Sequence, residues 1–225
     1  MSPFSLPVDT LCAMTCPLCH FSQTHFYHQD KRRRYQQCAQ CQLVFVEPEF
    51  LPNAQQEKHE YDLHENHAED EGYRRFLNKL AAPLNQVLQP NSNGLDFGCG
   101  PTPLLANMLS KSGGHSMHVF DPNYYPNRNV LAQQYDFISC SEAIEHFHTP
   151  YREWQIFLDC LKPGGWIGIM TKRVLSKEKF TNWHYKNDIT HVSFFSEATF
   201  RWLAERDNLS MSIVSNDVIL LQKLA

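Results

Sequence analysis

The stretch Gly94–Leu109, GLDFGCGPTPLLANML, limits the fold more than any other part of the chain. Gly94–Phe97 is a short apolar strand candidate. Gly98 and Gly100 let the backbone reverse at little steric cost, and Pro103–Lys111 carries apolar residues at helical spacing. A strand that turns through glycines straight into a helix is the opening unit of a parallel sheet with crossover helices. Further strand candidates follow at Met117–Phe120, Tyr135–Cys140, Trp166–Thr171, Met211–Val214 and Val218–Gln222, with helices near Tyr151–Leu161 and Glu197–Glu205 between them. Thr102 before Pro103 reads as an N-cap and Gly113-Gly114 as the stop; Thr149 before Pro150 repeats the start, and the KPGG run ends that helix. Only Ser215, Asn216 and Asp217 join the last two strands, too few for a crossover, so those strands are expected to pair as an antiparallel hairpin.

A strand ending Asp-x-Gly-x-Gly lets the main chain approach a ligand closely, with free amides pointing at it. Asp121, at the end of the next strand, is a carboxylate able to accept two hydrogen bonds from the hydroxyls of a ribose. Together they point to a nucleoside-containing cofactor.

Four of the eight cysteines form Cys16-x-x-Cys19 and Cys38-x-x-Cys41. That spacing is the pattern of a tetrahedral zinc site, read here in preference to a redox dithiol or disulfides. The intervening residues form a hairpin that brings the two knuckles together. Such a module is too small to fold on hydrophobic burial, so the metal supplies the missing free energy. His20 is an alternative ligand, but four thiolates are simpler. Cys12, Cys99, Cys140 and Cys160 stand singly and read as small buried side chains.

With 225 residues and 42% hydrophobic content, the chain can bury one core and a small accessory module. A net charge of -4 gives no whole-chain attraction to nucleic acid or acidic membranes, and DNA is not expected as a partner. The sequence contains no apolar run long enough to span a bilayer, and its N-terminal residues lack the basic and apolar regions of a signal peptide, so a cytoplasmic protein is expected. Residues 51–72 are polar, acidic and histidine-rich, a linker or helical cap. There His59, His64 and His67 suggest a second metal site or, more simply, a solvated acidic face. From Tyr73 the spacing is helical, and Pro83 is expected to kink or divide that helix. The expected division is 1–50 zinc-ribbon-like module, 51–72 linker or cap, and 73–225 catalytic domain.

The set LDFGCG, VFDP, YDFISCSEAIEHFHTP and LKPGGWIGIMT, in that order, resembles the class I S-adenosylmethionine-dependent methyltransferases. The resemblance implies an α/β, doubly wound Rossmann-like sheet with a terminal antiparallel hairpin, and S-adenosylmethionine as cofactor. It also implies a cofactor site of Asp96, Phe97, Gly98, Cys99 and Gly100, with Thr102 facing the ligand, Asp121 on the ribose, Pro122 and Tyr124 against the adenine, and Ser141 and Glu142 flanking the pocket. Thr102 replaces the third glycine of the usual turn. Asp121 and Tyr135 are too close for the family's usual helix and third strand, leaving space for a very short strand around Asn129–Leu131. The N-terminal part, CPLC to CAQCQLVFVEP, is similar to the zinc-binding domain of sugar C-methyltransferases, and DITHVSFFS places His191 on the histidine those enzymes use as base. Thr190 and Phe194 depart from that motif.

Methyl transfer needs a base only where the acceptor must lose a proton. Candidates are His191, His146 and His184, with Glu145 or Asp188 as orienting carboxylates; each histidine is also at home as a packing or capping residue. Trp183 and Tyr185 line an acceptor pocket or belong to the core. The acceptor is expected to be a small molecule, sugar-like or otherwise. The alternative is RNA docked by the cations of Asp30–Tyr35, DKRRRY, at the tip of the zinc hairpin. A protein acceptor and a noncatalytic cofactor-binding module also remain open.

Overall fold

The computed structural model of the chain describes residues 11–12, 14–62 and 70–224. Among them the chain runs β1 (Leu11–Cys12), β2 (Thr24–Gln29), β3 (Arg34–Cys38), β4 (Val44–Val46), α1 (Ala54–Asp62), α2 (Glu71–Val87), β5 (Asn93–Phe97), α3 (Leu104–Gly113), β6 (Ser116–Phe120), β7 (Tyr135–Ser141), α4 (Pro150–Cys160), β8 (Leu161–Met170), α5 (Lys177–Thr181), β9 (Ser193–Phe194), α6 (Glu197–Arg206), β10 (Leu209–Ile213) and β11 (Val218–Lys223).

The larger sheet has the order β10-β11-β8-β7-β5-β6. Strands β6, β5, β7 and β8 are parallel, and β11 and β10 close the edge as the expected antiparallel hairpin. Both faces are covered, the doubly wound arrangement. Leu77, Leu80 and Leu84 of α2 and Leu105 and Leu109 of α3 pack on Phe137, Met170 and Leu220. On the opposite face Trp154 and Phe157 of α4 and Phe200 and Leu203 of α6 share a core with Leu95, Ile138 and Ile167. Strand order reverses around β5 and β7, so the crevice beyond their carboxyl ends is where such a sheet takes a ligand.

Several local expectations are corrected. Thr102 does not cap α3: the helix starts at Leu104 with Pro103 in the cap position and no side-chain cap bond. A proline there has no side-chain oxygen to offer the orphan amides. The stop is as read, with Gly114 left-handed at φ +66°. Thr149 holds the cap position of α4, again with no side-chain bond. That helix ends at Cys160, and the KPGG run belongs to the irregular start of β8. α2 runs through Pro83 undivided, its buried leucines outweighing one lost main-chain bond. Residues 128–132 form a 3-10 helix rather than a third strand, so β6 is the sheet edge.

The second sheet, β1-β2-β3-β4-β9, contains the expected hairpin β2–β3 and then crosses the chain: β4 pairs with β9, from the far side of the sequence. Cys16, Leu18, Cys38 and Leu43 belong to the same core as α4 and α6. No described helix is long and apolar enough to cross a membrane.

Candidate active site

A cavity of about 600 Å3 opens at the carboxyl ends of β5, β6 and β7. Its floor is the β5–α3 turn. Gly98 N–H donates to the Phe120 carbonyl at 2.8 Å, tying the turn to β6. Gly98 and Gly100 lie at φ +76° and +65°, and a Cβ on Gly98 would stand 2.4 Å from Ala143 Cβ. Only glycine permits that conformation and that approach.

Asp121 follows β6 directly. Its Oδ2 accepts from Gly100 N–H at 3.0 Å, and its Oδ1 from Asn123 and Tyr124 N–H at 2.9 and 3.1 Å. Main chain on two sides therefore immobilises the carboxylate, and Oδ2, with one bond accepted, keeps acceptor capacity. Asp96 is 2% exposed and accepts from Ser139 Oγ at 2.7 Å; burial lifts its carboxyl to about 6.

On the far wall, Ser141 Oγ and Glu142 Oε1 are buried without a hydrogen-bond partner. Buried orphan atoms are uncommon, and two adjacent ones in a cavity wall mark a place for a polar ligand. Glu142 also adopts φ +47°, a strained backbone for a non-glycine residue, and burial raises it to about 7, with Lys172 opposing.

The predicted cofactor residues Asp96, Phe97, Gly98, Cys99, Gly100, Thr102, Asp121, Pro122, Ser141 and Glu142 all line this one cavity, as do Tyr124, His146, Asp188 and His191. His146 and His191 meet edge to face, ring centroids 4.7 Å apart. His191 Nδ1 lies 2.7 Å from the Tyr185 carbonyl, and His146 Nδ1 lies 3.2 Å from the Thr190 carbonyl. A carbonyl only accepts, so both rings carry a proton on Nδ1. Asp188 Oδ2 stands 3.6 Å from His191 Nε2, ready to pair with the imidazolium. Burial pushes Asp188 up, but hydrogen bonds from Thr190 and the nearby His191 outweigh it and hold it low.

Glu145 stands behind the wall, 1% exposed, accepting from Thr171 at 3.0 Å and from the Tyr185 hydroxyl. Burial and then Glu142 raise it to about 8. Glu145, His146 and His191 come within 4.8 Å of one another. With both carboxylate oxygens engaged by hydroxyls, the group is better described as a hydrogen-bonded support than as a metal site. His184 is outside the lining of this cavity and meets Lys172 at 3.1 Å. Trp183 and Tyr185 belong to the core with Phe180 and Phe194 rather than to the cavity wall.

The segment expected as a linker or helical cap supplies α1, but its residues at the cavity were not among the candidates. Glu57 and Tyr61 of α1 line the cavity, Glu57 pairing with His148 at 2.7 Å and Tyr61 meeting the His146 ring at 5.4 Å. Their spacing of one helical turn was the available signal. Arg128 and Leu131 of the 3-10 helix stand where the missing strand was sought. His59 is exposed on α1; His64 and His67 lie outside the described residues, as does the Cys12 side chain.

The four paired cysteines converge. Cys16 and Cys41 sulfurs are 3.5 Å apart, Cys19 and Cys38 sulfurs 3.4 Å, and all four lie within 4.8 Å. A tetrahedron of bonds near 2.3 Å sets its sulfurs about 3.8 Å apart, so the cluster fits zinc with little movement. Amides of Leu18, Gln40 and Cys41 already donate to these sulfurs. His20 is not part of the cluster and packs on Tyr151. Cys140 and Cys160 are buried as expected, whereas Cys99 faces the cavity.

A family model described as a methyltransferase domain matches residues 64–212. The chain belongs to that family, enzymes that draw their methyl group from S-adenosylmethionine. The chain is 23% identical over 151 residues to the ubiquinone biosynthesis O-methyltransferase of Hydrogenovibrio crunogenus, covering 53% of this chain and 62% of that protein. The match thus spans less than two thirds of the relative's length. Similar solved structures include an O-methyltransferase family protein from Burkholderia thailandensis, with TM-score 0.49, 12% identity and coverage of 68% of this chain and 56% of that one. Another is magnesium protoporphyrin IX methyltransferase from Synechocystis with bound SAH, with TM-score 0.46, 10% identity and coverage of 75% and 93%.

Proposed function

We propose that the protein transfers a methyl group from S-adenosylmethionine to a small-molecule acceptor, sugar-like or otherwise, whose nucleophilic oxygen or carbon yields a proton to His191. The observation that carries this reading is that one cavity holds both the glycine turn with Asp121 and the facing pair His146 and His191. A cofactor cradle alone would serve a noncatalytic module; a proton acceptor opposite it serves a reaction.

S-adenosylmethionine supplies a methyl group on a sulfonium, open to in-line displacement. The donor set fits it: Asp121 for the ribose, the turn Phe97–Gly100 for close main-chain approach, and the orphan Ser141 Oγ and Glu142 Oε1 for the cationic amino-acid end. Pro122 and Tyr124 take the adenine side. His191 accepts the acceptor's proton at Nε2, and Asp188 stabilises the resulting cation. His146 and Glu145 hold that arrangement.

We read residues 1–50 as the zinc module, with Cys16, Cys19, Cys38 and Cys41 holding the ion; 51–72 as the cap, of which α1 roofs the cavity; and 73–225 as the catalytic domain. A small acceptor is preferred to RNA because the central cation of the basic hairpin tip is engaged inside the chain: Arg33 is 4% exposed, and its neighbour Arg32 donates to the Asn187 carbonyl at 2.9 Å.

The test is labelled-methyl transfer into a fractionated cell extract. The label should survive RNase. His191→Ala should keep calorimetric cofactor affinity within about twofold while lowering turnover by roughly 10²–10⁴. Equal turnover would remove His191 as the base, and unaltered cofactor binding in Asp121→Ala would count against the cradle.

A further inference from the structure

We infer that Arg33, at the tip of the N-terminal hairpin, is a positioning residue for the acceptor end of the site: its guanidinium fixes the 186–191 loop and with it His191 and Asp188. The inference rests on the reading of His191 as base.

A guanidinium has five N–H donors in a rigid planar fork. All five are used. Nε donates to the Tyr35 hydroxyl at 3.2 Å; one terminal nitrogen donates to the carbonyls of Ile189 at 2.8 Å and His191 at 3.0 Å; the other donates to the Asp188 carbonyl at 2.9 Å and to the Lys186 carbonyl. Four carbonyls within six residues thus converge on one buried cation from more than 150 positions away in the chain. That loop has little regular structure of its own, a single 3-10 turn over His184–Asn187. Its carbonyls turn inward because the cation is there, as carbonyls gather around a bound metal.

The anchoring is reinforced on both sides. Asp30 Oδ1 accepts from the Arg32 and Arg33 amides at 2.8 and 2.9 Å, its Oδ2 accepts from the Tyr35 hydroxyl at 2.8 Å, and it faces the Lys186 ammonium at 3.6 Å. Past the loop, Val46 N–H donates to the Val192 carbonyl at 2.9 Å, and β4 pairs with β9. His191 is therefore held on its amino side by the guanidinium and on its carboxyl side by a strand of the same module. The cysteine cluster closes the base of that hairpin, at the end of β3. The module acts as an internal brace for the base, which accounts for a run of cations whose central member is buried.

Arg33→Lys separates this role from general stability, because an ammonium keeps the charge but has three donors radiating from one point. The measurements are amide hydrogen exchange over 186–192, NMR titration of His191, zinc content and calorimetric affinity for S-adenosylhomocysteine, with exposed Lys31→Ala as control. We expect at least a tenfold faster exchange over 186–192 and a displaced His191 titration. Zinc content should stay the same, and cofactor affinity should stay within twofold. Wild-type exchange and titration in Arg33→Lys would overturn the inference. So would loss of zinc or cofactor binding together with the loop, since Arg33 would then be a general folding residue. Failure of the wild-type protein to bind the cofactor would instead sink the functional reading while leaving the brace intact.

Discussion

At the cofactor end of the cavity the ligand-facing groups are held by their own neighbourhood: Gly98, Gly100 and Asp121 follow directly on two adjacent parallel strands, β5 and β6, and are tied by main-chain bonds. At the acceptor end, His146, His191, Tyr61 and Glu57 come from segments far apart in sequence and meet through side chains and through the N-terminal module. The first end resists most distant perturbation because its geometry is local to the sheet. The second depends on parts that fold with the cysteine cluster. A scaffold built this way keeps the donor site constant while the acceptor site is set by whatever is packed against it.

Metal removal should break the comparison most sharply. A structural zinc site contributes on the order of 10 kcal/mol of folding free energy, so chelation should unfold β2–β4. Because β4 carries β9 and Arg33 carries the 186–191 loop, the acceptor end should lose exchange protection with it, while β5, β6, β7 and β8 keep theirs. Joint loss of both ends would show that the shared core around Leu18 and Phe157 couples them.

Proton linkage comes next in size. Asp96, Glu142 and Glu145 have carboxyls raised by burial to about 6, 7 and 8. A raised carboxyl favours the folded state in its protonated form, so this contribution is fully present below about pH 4 and is lost as pH rises through 6 to 8. The urea midpoint of the ligand-free protein should fall over that interval. Cofactor binding should run the other way, because a cationic ligand beside Glu142 favours its ionised form. Affinity should rise up to tenfold per unit below about pH 7 and then level off, with proton release seen by calorimetry in buffers of different ionisation heat. A flat profile would remove Glu142 from the cofactor site.

Substitutions in the cradle should cost less and stay local. Asp121→Ala should weaken cofactor binding by roughly 1–3 kcal/mol, through lost acceptors for the ligand and for the Gly100 amide. Gly98→Ala meets both a positive φ and Ala143 Cβ at 2.4 Å, and should destabilise the fold by roughly 1–3 kcal/mol. Exchange over 186–192 should be untouched in Asp121→Ala; a change there would mean the two ends are coupled through the ligand-free protein.

The same division explains what the sequence discloses. The six strands of the larger sheet, the terminal hairpin and the cofactor turn follow from apolar runs of short period and from glycines where the chain must reverse. All are determined within a few residues. Pro83 misleads because tertiary burial of Leu80 and Leu84 overrides a local penalty. Arg33 misleads more deeply: a run of cations carries no local mark distinguishing a solvated tip, an RNA contact and a buried clamp, since the four carbonyls it meets are residues 186–191. His191 is legible by resemblance, whereas its tautomer is set by a Tyr185 carbonyl that only the folded chain places beside it.

The smallest effect tests the roof. Glu57 and His148 meet at 2.7 Å, with side chains 23% and 32% exposed. A pair at the partly exposed rim of the cavity is screened in part, and its loss in Glu57→Ala should lower the local opening free energy of α1 by about 1 kcal/mol or less. Hydrogen exchange over residues 54–61 reads that change directly. Cofactor affinity should move by less than twofold, because the cradle makes no use of the pair, whereas turnover on the acceptor should fall modestly as the wall beside His146 loosens. If cofactor affinity fell as much as in Asp121→Ala, α1 would belong to the donor end, and the boundary between the two ends would have to be drawn through the cap rather than through the carboxyl edge of the sheet.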